Sequence, residues 1–285
     1  MKWRMRFLAI LSILSLGWIV SVPTAIAGDP LNLIVSNVND GSFVVSWATN
    51  ETEIGQVQVI DGATFNDDRG EKFSGKTHYV TVSGLSPDTR YQFDVVSGGK
   101  KNDHGGIHYP VMTGTRLDPP IPDLIIGQAK NADGSPATEA IILFTVLRPQ
   151  GVSAPLSVLL TEADDGVFHV NLSEARVMDA PTSYQNYSQD DQVTIQAINP
   201  TGLGMLALKI GDPRLRTNDP SQMVVIQMRQ IAVSPTIVAQ PMTPTPTPEQ
   251  FQAMNSDTFR LIAIGIAGLI ALGVVAVAAI FVWKR

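Results

Sequence analysis

Gly84-Leu-Ser-Pro-Asp-Thr-Arg-Tyr-Gln-Phe-Asp-Val95 joins a turn to a strand. Ser86-Pro87-Asp88 is turn chemistry: proline pre-sets its own φ, and Ser and Asp side chains can bond the local backbone. From Tyr91 the residues alternate, placing Tyr91, Phe93 and Val95 on one face, the period-two signature of a half-buried strand. The same alternation recurs upstream. Ser42-Phe-Val-Val-Ser-Trp47 puts Phe43, Val45 and Trp47 together, Gly55-Gln-Val-Gln-Val59 pairs Val57 with Val59, and His78-Tyr-Val-Thr-Val82 pairs Val80 with Val82. Asn39-Asp40-Gly41, Asp61-Gly62 and Gly98-Gly99 punctuate the runs. Short strands at this spacing, without helical periodicity, predict an antiparallel sandwich over residues 28–117.

Trp47 followed by Ala-Thr-Asn-Glu51, with Leu85, Pro87, Thr89 and Tyr91 in the spacing Leu-x-Pro-x-Thr-x-Tyr, resembles a fibronectin type III module. The resemblance implies that Trp47 packs between the sheets. It also implies that Leu85, Pro87 and Tyr91 build a tyrosine corner, whose hydroxyl bonds back to the backbone. The variety is similar to the N-terminal sandwich of purple acid phosphatases and of many bacterial surface proteins. No Gly-Asn-His-Glu metal motif follows it, so phosphatase activity is not expected.

Leu117-Asp-Pro-Pro-Ile-Pro122 cannot be helical and favours extended geometry, so residues 118–122 are read as a connector. Residues 123–232 are strand-rich again. Ala140-Ile-Ile-Leu-Phe-Thr-Val146 is a continuous apolar run that predicts a central strand. Phe168 to Leu172, Val193 to Ala197, Met205 to Ile210 and Met223 to Met228 supply more, for about seven strands in all. The order Gly127-x-x-x-Asn131-x-Asp133-Gly134-x-Pro136-Ala137, then Asp165-Gly166-x-Phe168, resembles carboxypeptidase-regulatory-like sandwiches of transthyretin-like arrangement. The fold class expected is therefore all-β, with two antiparallel β-sandwich domains in tandem.

The ends differ in kind. Lys2, Arg4 and Arg6 precede an apolar core, Phe7 to Val20, and the small-residue site Ala25-Ile-Ala27, so residues 1–27 read as a secretory signal peptide. Residues 233–260 include Thr243-Pro-Thr-Pro-Thr-Pro248, a composition that cannot bury a core and predicts a stalk. Leu261 to Trp283 carries no charge, Pro or Asn. At ~1.5 Å per helical residue it reaches about 34 Å, enough for a hydrocarbon core of ~30 Å. Lys284-Arg285 then places the C-terminus at the cytoplasmic face and the N-terminus outside, as for a single-pass protein of the cell membrane. Ala263, Ala267 and Ala271 lie at a spacing that permits homodimerisation through this anchor.

All 26 acidic residues fall between residues 28 and 259, whereas six of the 20 basic ones sit at the two ends. Such an acidic body repels phosphate backbones, so no nucleic-acid partner is expected. The absence of Cys removes thiolate catalysis and Cys-ligated zinc, and in an exported chain points either to a bacterial-type envelope or to cores large enough without disulfides.

His104-Gly-Gly-Ile-His108 is the closest histidine pair, but its glycines disfavour the helix that a four-residue metal spacing needs. Asp67-Asp68, Asp164-Asp165 and Asp190-Asp191 read as turn residues, because neighbours on a strand face opposite ways. Calcium at Asn131/Asp133 or Asp164/Asp165 stays open, although no complete cation loop is formed. No cofactor and no enzymatic activity are expected. What is left is the glycine-rich stretch Ser97–His108, at the position where fibronectin modules often contact partners. Lys100, Lys101, Asn102, His104 and His108 are its candidate binding residues. The function expected is a membrane-anchored, surface-displayed binding or structural protein that meets a protein or glycan. The alternatives are an accessory subunit of an envelope complex or exporter, and an envelope hydrolase using carboxylates such as Asp164 and Asp165.

Overall fold

The computed structural model describes residues 30–178 and 181–230. The signal peptide (1–27), the stalk from residue 233, the span 261–283 and the basic end 284–285 lie outside the described residues. Among the described residues no helix is long and apolar enough to cross a membrane. The described residues are all-β with several sheets, joined by loops and three short 3₁₀ turns.

The first group of strands is β1 (Leu31–Ser36), β2 (Ser42–Val59), β3 (Thr64–Asn66), β4 (Ser74–Ser83), β5 (Arg90–Ser97), β6 (Lys100–Asn102) and β7 (Tyr109–Met112). β2 serves two layers. Its first half pairs with β1 and β4, and its second half pairs with β3 and β5 after a register shift between Ala48 and Glu53. The alternating residues named above close between the layers: Phe43, Val45, Trp47, Val57, Val80, Phe93 and Val95 are fully or almost fully buried in one core. His78 lies in the same parity as Val80 and is buried with them, its ring stacked on Trp47 at 4.8 Å.

The second group is β8 (Leu124–Lys130), β9 (Ile141–Arg148), β10 (Gly151–Val152), β11 (Leu156–Leu159), β12 (Val167–Asn171), β13 (Gln192–Asn199), β14 (Gly202–Lys209), β15 (Val225–Gln227) and β16 (Arg229–Gln230). One sheet runs β10-β9-β13-β14-β16, with β11 beside β9, and the other runs β12-β8-β15. Phe144, Ile142 and Val146 from β9 meet Phe168 and Ile195 between them. Purely antiparallel pairing is corrected here: β15 runs parallel to β8. The chain reaches β15 through a long excursion after β14, so it enters the second sheet from the same end as β8.

β9 shows why its sequence is apolar throughout. Ile142, Phe144 and Val146 face the second core, while Ile141 and Leu143 on the opposite face pack against Val44 and Tyr79 of the first group. A strand buried on both faces loses the polar half of its alternation. The two groups are therefore docked on each other through the outer face of β9.

Candidate functional site

The docking is fastened by hydrogen bonds at β11. Ser157 N–H donates to Asn37 Oδ1 at 2.7 Å, and Asn37 Nδ2 donates to the Ser157 carbonyl at 2.9 Å. One side-chain amide thus completes the edge of β11 as a neighbouring strand would. Tyr79 OH lies 3.1 Å from the same carbonyl and 2.9 Å from Ser157 Oγ, which is itself 2.7 Å from Ser36 Oγ. Burial, and behind it the Asp68 charge, push the Tyr79 phenol up to about 12, against weaker opposition from its hydrogen bonds to Ser157 and Asn37. On the far side Arg176, almost fully buried, donates to the Thr115 and Pro181 carbonyls, both at 2.7 Å.

The stretch singled out in sequence is built differently from a plain loop. β6 and β7 both pair with β5, Val95 opposite Asn102 and Phe93 opposite Tyr109, so residues 103–108 are an excursion inserted into one strand line. Asp94 sits in β5 at the gap. Its carboxylate is 0% exposed, with Lys101 Nζ 2.6 Å from Oδ2 and His108 Nδ1 2.7 Å from Oδ1. A buried carboxylate must be paired, and this one draws both ends of the excursion onto the sheet face. Tyr109 OH donates to Asn102 Oδ1 at 2.6 Å, and His104 stacks on the Tyr109 ring at 4.6 Å with the planes 4° apart. His104 and His108 both take left-handed φ, 54° and 58°, with Gly105 and Gly106 between them. Ile107 is left 48% exposed at the tip. Lys101, Asn102 and His108 therefore position the excursion, while His104 and Ile107 form its outer surface. Ile107 was not among the sequence candidates, and its apolar side chain between polar neighbours was the available signal. Lys100 begins β6 opposite Ser97.

Trp47, Leu85, Pro87 and Tyr91 are placed around the core. Trp47 Nε1 donates to Ser97 Oγ at 2.9 Å, and the Ser86 amide donates to Tyr91 OH at 2.8 Å, closing the corner. Leu85 packs against the core as Tyr91 does.

The acidic pairs are committed elsewhere. Asp67 is buried, not a solvated turn residue. Arg69 holds it through Nε at 2.8 Å and Nη2 at 2.9 Å, and the Tyr79 amide donates to it at 3.0 Å. Burial works to raise this carboxyl, but its hydrogen-bonding partners outweigh burial and hold it at about 2. Because His78 Nδ1 lies 3.8 Å away, beyond hydrogen-bond reach, the Arg69 fork and the Tyr79 amide do most of that lowering. Asp164 caps its own turn, accepting from Thr161 N–H and Oγ1 at 2.7 Å each. Asp133 accepts from the Ser135 hydroxyl at 2.6 Å, which holds it below the usual carboxylate range. Among the described residues no three of His, Asp and Glu gather into a metal-holding group. A groove of about 590 Å³ opens between the two strand groups, bordered by Lys76, Asp133, Glu139, Asn199, Arg229 and Gln230.

A family model described as Fibronectin type III domain matches residues 28–108. This segment is a fibronectin type III domain. The FN1–FN3 domains of chicken CNTN1 are similar at 12% identity with a TM-score of 0.23, over 71% of this chain and 66% of that one. No curated protein matches the chain. The family match runs to His108, the last residue of the excursion, so the excursion belongs to the fibronectin type III domain rather than to the connector after it.

Proposed function

We propose that the chain is a non-enzymatic binding protein of the cell surface. Residues 261–283 tether it to the cytoplasmic membrane with its N-terminus outside, and residues 1–27 direct export. Two β-sandwich modules, 28–117 and 123–232, stand on the stalk 233–260 and meet a protein or glycan partner. The observation that carries this reading is the excursion 103–108 on the fibronectin type III domain. Buried Asp94 anchors it at both ends, and it presents His104 and half-exposed Ile107 outward. A loop fixed before binding loses little conformational entropy on contact, which is what a recognition surface requires.

The test is photo-crosslinking from position 107 of the full-length protein in its native membrane. The reading expects one dominant adduct, lost when His104→Ala is added while folding is retained. Adducts spread evenly over abundant neighbours, unchanged by His104→Ala, would remove the loop as the contact surface.

A further inference from the structure

Free strand edges invite pairing with other chains, so folded proteins cover or disrupt them. Most edges here are treated in this way. β4 is closed by the Asp67-Asp68-Arg69 corner: Asp67 accepts the Tyr79 amide, Asp68 accepts the Thr81 amide at 2.8 Å, and Arg69 reaches the Thr77 carbonyl. β11 is closed by Asn37. β1 is broken by a bulge between Leu31 and Ile34, and β7 contains Pro110. The edge of β12 carries exposed His169 on its outer face.

β14 is open too, and unlike β12, with its exposed histidine, its exposed side chains over Leu203–Ala207 are apolar. β16 covers only Gly202 and Leu203. Among the described residues no backbone hydrogen bond reaches Met205–Leu208 from any segment except β13. The outward face of this stretch is apolar: Leu203 is 43% exposed, Met205 45% exposed, and Ala207 is exposed as well. Through Ile198 and Ile141 that face continues into the surface already buried between the two modules.

We infer that β14 pairs with β14 of a second copy of this chain, antiparallel and two-fold about Ala207. Three observations select a second copy as the occupant. The stretch Met205–Lys209 has Ala207 at its centre and only the Lys209 carbonyl, bonded by the Asp212 amide at 3.0 Å, is taken, so a two-fold partner lies opposite it and stops short of β16. Opposite residues of a pair must share a face, and this register obeys that rule: Met205 meets Lys209 of the copy, and Ala207 meets Ala207 as a hydrogen-bonded pair, because Ile210 and the other even-numbered residues bond toward β13 and leave the odd ones turned to the open edge. Finally, two acidic chains would here meet on a strand without an acidic residue. Its one cation, Lys209, is 2.9 Å from Asp190 of its own chain. The pairing would join the β9-containing sheets of two copies into one and cover the Met205 stripe.

The natural chain has no cysteine, so a single Ala207→Cys is a clean reporter. In the full-length protein in detergent, wild type should run at twice the monomer mass. Mild oxidation of Ala207→Cys should give a covalent dimer, since the Cα atoms of a directly opposite hydrogen-bonded pair lie about 5.5 Å apart, within the span of a disulfide. Ala207→Glu, which sets two carboxylates against each other on the axis, should weaken the dimer at least about tenfold with folding unchanged. A monomeric wild type overturns the inference. So does a dimer that survives Ala207→Glu, or one that Ala267→Leu in the anchor abolishes alone. Should Ala207→Glu not fold, the oxidation result decides: an Ala207→Cys thiol that stays reduced overturns it equally.

Discussion

Gly55 has no room for a side chain. A Cβ there would stand 2.3 Å from the His78 ring and 2.8 Å from Trp47, so the stack at the heart of the fibronectin type III domain depends on a bare backbone opposite it. Gly55→Ala should cost roughly 2–3 kcal/mol by overpacking, read as a lower midpoint in denaturant at an unchanged slope. Asp67 is the second such residue. Its folded value, about 2, lies below the ordinary 3.8, so the stabilisation is complete above pH 4 and is lost as pH falls toward 2. That shift corresponds to about 2 kcal/mol. Asp67→Asn should show this loss already at neutral pH and should flatten the acid limb of the stability profile between pH 4 and 2. A variant whose profile still falls steeply there would assign the acid sensitivity to other carboxylates. Half of this chemistry was legible in the chain. The parity of His78 with the inward Val80 was the available signal for its burial, but Asp67 next to Asp68 looked like turn chemistry. Its burial follows from Arg69, which folds back on it and lies over Phe73 at 3.6 Å.

At the scale of elements, strand content was legible wherever one face meets water and the other a core, as in β2, β4 and β5. The unbroken apolar run of β9 correctly implied a central strand. What it could not name was the cover on its second face, because Val44 and Tyr79 belong to a distant part of the chain. The excursion 103–108 was legible by composition, through its glycines and histidines. Its anchor was not: Asp94 occupies an outward position of an alternating strand, where an acid normally meets solvent. Asp94→Asn should free both ends, because Lys101 and His108 lose the charge that holds them. Amide exchange of residues 103–108 should accelerate at least about tenfold while that of β2 and β4 stays unchanged. Equal protection in variant and wild type would show that the glycine turns hold the loop without Asp94.

For the whole molecule, the proline connector suggested two modules strung apart, whereas Asn37, Tyr79 and Arg176 bind them together. Asn37 and Tyr79 meet Ser157 from far along the chain, and no local pattern encodes such contacts. Tyr79 makes the docking sensitive to alkali. Its neutral form is the one the interface holds, so its contribution is complete below pH 10 and fades as pH rises toward 12. Tyr79→Phe should remove that alkaline loss and weaken docking by about 1 kcal/mol. Asn37→Ala leaves the Ser157 amide without its acceptor and the Ser157 carbonyl with only the Tyr79 hydroxyl, and should cost about 2 kcal/mol.

The docking matters most, since it fixes how the excursion and the β14 edge face outward together. Distance measurement between spin labels at Glu71→Cys and Glu162→Cys, one exposed position on each module of the full-length chain, tests it directly. A single narrow distribution is expected, broadening when Asn37→Ala and Tyr79→Phe are combined. A broad distribution in the otherwise native chain, indifferent to those two changes, would contradict it.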